Sequence, residues 1–425
     1  MFLKRVAILF IYFSSSFLLG QTNIKTMFYN VLNYNSNFES ENRTAYLKTI
    51  LDNVQPDLFM VCELKNESAS NYLFNNAVKA HNANFVPAQF QFGTSSDRSL
   101  LQMVYFNSEK LELEYQSVIP TVVRDINHYT FKIKTASITT NPIRIEVFVT
   151  HLKASRGIEN RQKRLSSVNS LVRELDRLPA NSTVLFAGDF NFYTSNEEGF
   201  RQIINPNNPI KLVDPINALC PEFPEDGKDY YDNDFDATYF WNNSNFKNVH
   251  SQSTRTNSLS DGSGGGMDDR FDFIMMSENL KTNENLFYKN NSYKTVGNNG
   301  NCYNSFVSNA NCTGEFSQEL RNALYFFSDH LPIVMELETP ENTLSIDNIK
   351  PITFANSNLV TNFLSLKLNN TLFSQKVIIF NQLGQIVYEK HISNQQQLKI
   401  NTSAFSKGIY YLKSDNNKPL KFVKI

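Results

Sequence analysis

Short apolar runs of strand length recur through the first three quarters of the chain, and many of them stop on a polar residue. Ile24 to Tyr29 ends at Asn30, and Leu58 to Cys62 ends on Glu63. Gln102 to Phe106, Leu111 to Ile119 and Thr130 to Lys134 follow, then Ile143 to Thr150, which ends on His151. Val184 to Ala187 closes on Gly188-Asp189-Phe190-Asn191. Phe271 to Met276 and Ile333 to Leu337 complete the set, the last preceded by Asp329-His330. Runs of this length predict buried strands. Between them the period changes. Leu47, Ile50, Leu51 and Val54 form one helical stripe, stopped by Pro56-Asp57. Leu165, Val168, Leu171, Val172 and Leu175 form another within Glu159 to Leu178. Strand, helix, strand is the opening of a layered α/β fold.

Two polar stretches interrupt the pattern. Ser251 to Asp269, with Gly262, Gly264, Gly265 and Gly266, has too few apolar residues to pack and reads as a mobile loop. Its glycines lack the leading strand and the following Lys-Ser/Thr of a phosphate cradle. Asp268 and Asp269 read as loop charges. Lys281 to Glu315 reads as a surface excursion, and in an exported protein its Cys302 and Cys312 could close a disulfide. That leaves Cys220 free, or joined to Cys62.

Lys4-Arg5 followed by the apolar run Val6 to Phe13 has the layout of a secretory signal peptide, residues 1–21. No other stretch approaches the length needed to span a bilayer. Residues 22–339 carry 28 basic against 37 acidic groups, net −9, whereas the chain from 340 onward is at +6. The larger part therefore has no overall pull on a polyanion, and nucleic-acid binding there needs a local basic patch.

In an extended segment residues i and i+2 point the same way, so Asp189 and Asn191 face one point past the strand end, with Gly188 allowing the turn. This stretch, with Tyr29-Asn30-Val31, Val61-Cys62-Glu63, Thr150-His151-Leu152, Arg270-Phe271-Asp272-Phe273-Ile274 and Ser328-Asp329-His330-Leu331-Pro332, resembles the endonuclease/exonuclease/phosphatase superfamily over roughly 22–338. The resemblance implies a four-layer αββα sandwich of two mixed β-sheets flanked by helices, and metal-dependent cleavage of phosphoester bonds. It implies Asn30, Glu63 and Asp329 as ligands of Mg²⁺, with Mn²⁺ or Ca²⁺ as alternatives. His330 is then the base, oriented by Asp272, while Asp189 and Asn191 orient water and phosphoryl oxygens, and His151 contacts the phosphate or leaving group. Arg161 and Arg164, on the charged face of the second helix, are the substrate-binding candidates.

After a linker, 339–349, residues 350–425 break into strand-sized pieces, including Leu364 to Leu368, Lys376 to Phe380 and Ile409 to Leu412. They resemble the C-terminal sorting domain of the type IX secretion system of Bacteroidetes. The matching residues are Val377 to Val387, Gly408-Ile409-Tyr410-Tyr411-Leu412 and the basic ending Lys421 to Lys424. The expected architecture there is a small all-β sandwich, a partner of the secretion machinery, which places the enzyme outside the cell or on its surface. Three functions fit these patterns: a nuclease acting on extracellular nucleic acid, a phospholipid or sphingomyelin phosphodiesterase of the same fold, and a non-catalytic adhesin.

Overall fold

The computed structural model describes residues 22–135, 137–220, 240–340, 353–368, 375–392, 397–414 and 419–425. The expected signal peptide lies outside them. Chain contacts divide the molecule into two compact units, 1–343 and 344–425.

In the first unit, β1 (Thr22–Tyr34), β2 (Leu58–Leu64), β3 (Phe85–Pro87), β4 (Leu101–Asn107), β11 (Phe287–Tyr288), β12 (Lys294–Thr295) and β13 (Ile333–Thr339) form one sheet. Its order is β11-β13-β1-β2-β4-β3, with β12 also paired to β13. A second sheet runs β5 (Leu111–Ile119), β6 (Ile126–Ile133), β7 (Arg144–His151), β8 (Val184–Asp189), β10 (Asp272–Ser277), β9 (Leu212–Val213). Each contains parallel and antiparallel pairs, β1 with β2 and β7 with β8 being parallel. Helices α1 (Phe38–Val54), α2 (Glu67–Leu73), α3 (Lys79–His81) and α6 (Gln318–Phe327) accompany the first sheet. Helices α4 (Ile158–Leu175) and α5 (Glu198–Ile203) accompany the second.

The alternation of β8 shows how the layers are specified. Leu185 and Ala187 join a core with Tyr29 and Val61 of the first sheet, while Val184 and Phe186 join Val168, Leu171 and Phe200 of the helices. Successive strand residues face opposite sides, so a run apolar at every position is what a sheet covered on both faces requires. Burying each such side chain contributes about 1.5–3 kcal/mol. Sheet against sheet, with helices outside both, is the four-layer αββα sandwich. Gly188 lies within β8 and makes no turn. A Cβ there would stand 2.5 Å from the Thr150 carbonyl oxygen, so glycine is demanded by the close approach of β7.

Several elements differ from expectation. β1 continues to Tyr34 through an irregular register after Asn30, with Leu32 and Asn33 at positive φ. β6 begins at Ile126, four residues before the expected start. Helices α2 and α6 had no counterpart in the sequence reading, although α6 has a Ser317 cap bonded to the Leu320 N–H and buries Leu320, Ala323, Leu324 and Phe327. The excursion after Lys281 is no mere surface feature. It supplies β11 and β12 and buries Tyr293, Val296 and Val307. Cys302 and Cys312 are bridged, while Cys62 and Cys220 sit in different cores and are not joined to each other.

The second unit holds β14 (Thr353–Phe354), β15 (Leu359–Val360), β16 (Phe363–Lys367), β17 (Gln375–Phe380), β18 (Ile386–Ile392), β19 (Gln397–Asn401), β20 (Gly408–Ser414) and β21 (Leu420–Lys424). They form a three-stranded and a five-stranded sheet sharing one core, in which Leu364, Leu366, Ile379, Leu412 and Phe422 are buried. This is the small all-β sandwich.

Candidate active site

Register brings the polar strand ends together. In the second sheet His151 pairs with Asp189, and Asp189 with Asp272, so three ends stand side by side. In the first, Asn30 pairs with Cys62, which places Glu63 at the same edge. β13 runs antiparallel to β1, so the residues just before it return to the polar end of β1. There the Ser328 hydroxyl donates to the Asn30 carbonyl at 2.8 Å.

Glu63, His151, Asp189, Asn191, Asp329 and His330 line one cleft of about 470 Å³. Asn30 lies fully buried beneath it, its Nδ2 donating to Glu63 Oε1 at 2.8 Å and Asp189 Oδ2 at 3.0 Å. Asp272 is fully buried behind His330, with its Oδ2 2.7 Å from His330 Nδ1 and accepting from the Ser251 hydroxyl at 2.7 Å. Glu63, Leu32, Asn33, Ser155 and Asn191 all have positive φ without being glycine. Left-handed backbone of this kind clusters where a site is held in place by its surroundings.

Charge in the cleft is unbalanced. Burial pushes the Asp189 carboxyl up to about 7, with Asp272 and Glu63 adding to the rise and His330 opposing it. Burial alone would lower His330, but Asp272, Asp329 and Asp189 outweigh it and hold the imidazole well above its ordinary range. His151 is held well below that range by burial, then by Arg124. Its Nε2 stands 3.5 Å from Asp189 Oδ2 and 3.9 Å from Glu63 Oε1. Asp329 Oδ1, Asp272 Oδ1 and His151 Nδ1 are buried without a hydrogen-bond partner.

Oxygen-rich, net-negative and partly unpartnered, this donor set fits a hard divalent cation. Among the described residues, two groups have donor atoms within 4.8 Å of one another: Glu63 with His151 and Asp189, and Asp189 with Asp272 and His330. Of the expected ligands, Glu63 and Asp329 line the cleft and Asn30 lies buried beneath it. Glu63 belongs to the first group, and Asp329 to neither. Asn30 acts as a donor bridging two carboxylates, and its Oδ1 accepts from the Leu32 N–H at 2.9 Å.

Arg164 is not among the residues lining the cleft. It is fully buried, paired with Glu197 at 2.9 Å, and donates to the carbonyls of Lys153 and Ser155. It fixes the segment after β7. Arg161, partly buried on α4, is not among the residues lining the cleft. The cation that does line it is Arg124, which donates to the carbonyls of His151 and Leu152 and pairs with Asp97 at 2.9 Å.

The segment 251–269 overturns the expectation of a mobile loop. Its backbone is tied to the two residues flanking His330: Leu331 N–H donates to Ser251 O, and Thr254 N–H to Asp329 O. Gln252, Ser263 and Asp269 line the cleft. Gly262 packs so tightly that a Cβ would meet Asp329 Cγ at 2.9 Å. Asp269, expected as a loop charge, is pushed up to about 7 by burial and by Asp268. Apolar periodicity carried no signal for these residues; glycine at positive φ was the one local hint of a tightly built loop.

A second cleft of about 490 Å³ lies beside Lys25, Lys289 and Glu336, but its lysines are paired with glutamates and it holds no comparable cluster. No described helix is long and apolar enough to cross a membrane.

Residues 358–425 match the family described as the secretion system C-terminal sorting domain. No curated protein matches the chain by sequence. Among solved structures, the chain is similar to an endonuclease/exonuclease/phosphatase family protein from Bacteroides thetaiotaomicron, at 13% identity and TM-score 0.45, over 75% of this chain and 98% of that one. It is also similar to D. rerio TDP2 complexed with single strand DNA product, at 17% and 0.46, over 75% and 100%. The human Nocturnin catalytic domain with bound sulfate anion is a third, at 14% and 0.44, over 74% and 94%.

Proposed function

We propose that the first unit is a divalent-metal-dependent phosphodiesterase of the endonuclease/exonuclease/phosphatase type acting on nucleic acid, and that the second directs it through type IX secretion to the cell surface or beyond. The observation that carries the reading is the buried Asp272–His330 pair, whose Nε2 opens toward Asp189 at 3.8 Å, beside the Glu63–His151–Asp189 group. A histidine oriented by a buried carboxylate, next to carboxylates that lack counter-charge, suits hydrolysis at phosphorus better than recognition alone. This favours an enzyme over an adhesin.

Glu63 and Asp329 would hold Mg²⁺, with Asn30 setting Glu63 against Asp189. The cation, when bound, neutralises charge on the phosphoryl group and stabilises the leaving oxygen. The carboxylates that raise His330 are those a bound cation would offset; in the neutral imidazole so favoured, Asp272 accepts the Nδ1 proton and the free electron pair lies on Nε2, where it takes a proton from the attacking water. Asp189 and Asn191 orient that water and the phosphoryl oxygens. The phosphorus–oxygen bond to the leaving group breaks as the new one forms. Neutral His151 donates a hydrogen bond to a phosphoryl or leaving oxygen.

The rim favours nucleic acid over lipid. Asn33, Arg124, Gln252, Ser253 and Ser263 are typical of it, against Leu32, Leu100 and Phe271, so the support is polarity rather than a basic patch. A lipid substrate calls for an apolar edge that enters the bilayer. The test is turnover of DNA, RNA and sphingomyelin by the full chain with and without Mg²⁺. Metal-dependent cleavage of DNA or RNA is expected. Cleavage of sphingomyelin alone overturns the substrate, and no cleavage of any of the three overturns the function.

A further inference from the structure

The segment 251–269 places a glutamine on the two groups at the centre of the site. Gln252 Nε2 lies 2.7 Å from His330 Nε2 and 3.1 Å from Asp329 Oδ2. We infer that Gln252 is a positioning residue: its carboxamide, beside the His330 imidazole, holds the Asp329 carboxylate by Oδ2 and leaves Asp329 Oδ1 as the oxygen presented to a cation. This rests on the phosphodiesterase reading and adds to it a residue outside every motif that suggested that reading.

The backbone of Gln252 is fixed independently of its side chain. Its N–H donates to the Asp269 carbonyl at 3.1 Å, and its own carbonyl accepts from the N–H groups of Asp268 and Asp269 at 3.0 and 2.9 Å. On its other side it forms a bridge with His330. The carboxamide thus starts from a defined point.

Its orientation follows from its partners, as amide assignments must. The Asp329 carboxylate oxygen accepts, so the NH₂ end of the amide faces it at 3.1 Å. Asp329 Oδ2 further accepts from the Ser263 N–H at 2.7 Å, which blocks rotation of the carboxylate. Oδ1 is left buried and without a partner.

Glutamine is the side chain this arrangement needs. Asparagine is one methylene shorter and cannot reach Asp329 Oδ2 from the same backbone. Glutamate sets an acceptor against the Asp329 carboxylate. Methionine fills the same space with no donor, which separates packing from hydrogen bonding.

The experiment compares full-chain wild type, Gln252→Met and Gln252→Ala. It measures Mn²⁺ binding by calorimetry, and kcat, KM and the half-saturating Mg²⁺ concentration on a nucleic-acid substrate. Groups that hold metal ligands in place typically contribute ten- to a hundredfold in affinity or activity. We expect Mn²⁺ binding weakened by that factor in both variants, a fall in kcat, KM for the nucleic acid within twofold, and an unchanged melting temperature for Gln252→Met. Wild-type Mn²⁺ affinity and kcat in Gln252→Met would overturn the inference. A wild type that binds Mn²⁺ yet cleaves nothing overturns the function, while the role of Gln252 is still read from Mn²⁺ affinity alone. A wild type that binds no Mn²⁺ overturns both.

Discussion

The two walls of the cleft are built differently. One consists of strand ends in register: His151, Asp189 and Asp272 on neighbouring strands of one sheet, Asn30 and Glu63 on the other. The other is the segment 251–269, which has no helix or strand of its own and is held by backbone bonds to its surroundings. The strand wall is rigid because cores on both faces of each sheet fix the strands. The loop wall is rigid because hydrogen bonds tie it to Asp329, Leu331 and Asp272. Asp329 and His330 sit where the walls meet: His330 contacts Asn30 and Asp272 on one side, and Asp329 accepts from Gln252 and Ser263 on the other. Rigidity at a site thus has two sources, and substitutions should separate them.

The largest effect is expected where the walls join. His330→Ala should lower kcat by about 10³-fold, within the range for loss of a general base, with an unchanged melting temperature. A loss under tenfold would remove His330 from the chemistry. Asp272→Asn belongs to the strand wall alone. It leaves the His330 geometry in place but releases its tautomer, and about a 10²-fold loss in kcat is expected, smaller than that of His330→Ala. Gly262→Ala probes the loop wall. Its φ of +86° and the 2.9 Å approach to Asp329 Cγ mean the new methyl displaces that carboxylate. A roughly tenfold weaker Mn²⁺ affinity is expected, and none if the loop merely covers the site. The smallest difference concerns cations on the strand side. Arg124→Ala should raise KM about fivefold, near 1 kcal/mol, whereas Arg161→Ala should leave it within twofold.

The contrast also explains what the sequence could tell. Most strand-wall residues were legible because they follow an apolar run: Asn30 after Ile24 to Tyr29, Glu63 after Leu58 to Cys62, His151 after Ile143 to Thr150; Asp272 instead opens its strand. Periodicity fixes where a strand ends, and sheet pairing then brings the ends together. The layered fold was legible for the same reason. Gln252, Ser263 and Asp269 were not, since nothing local distinguishes a polar loop tied down by backbone bonds from one that is free; the ties reach residues more than sixty positions away, such as Thr254 to Asp329. Arg164 misled because a charged residue on a helix normally faces solvent. Its burial depends on Glu197, which the pattern did not connect to it. Gly188 was singled out for the wrong reason, a turn, when what requires it is the neighbouring strand.

The most direct test of a single site closed by both walls is a crystal of the full chain soaked with Mn²⁺ and measured for anomalous scattering. The account predicts one strong peak in the cleft, within coordination distance of Glu63 and of Asp329 Oδ1. A peak bound only by strand-wall carboxylates, with Asp329 uninvolved, or no peak in the cleft, would contradict it.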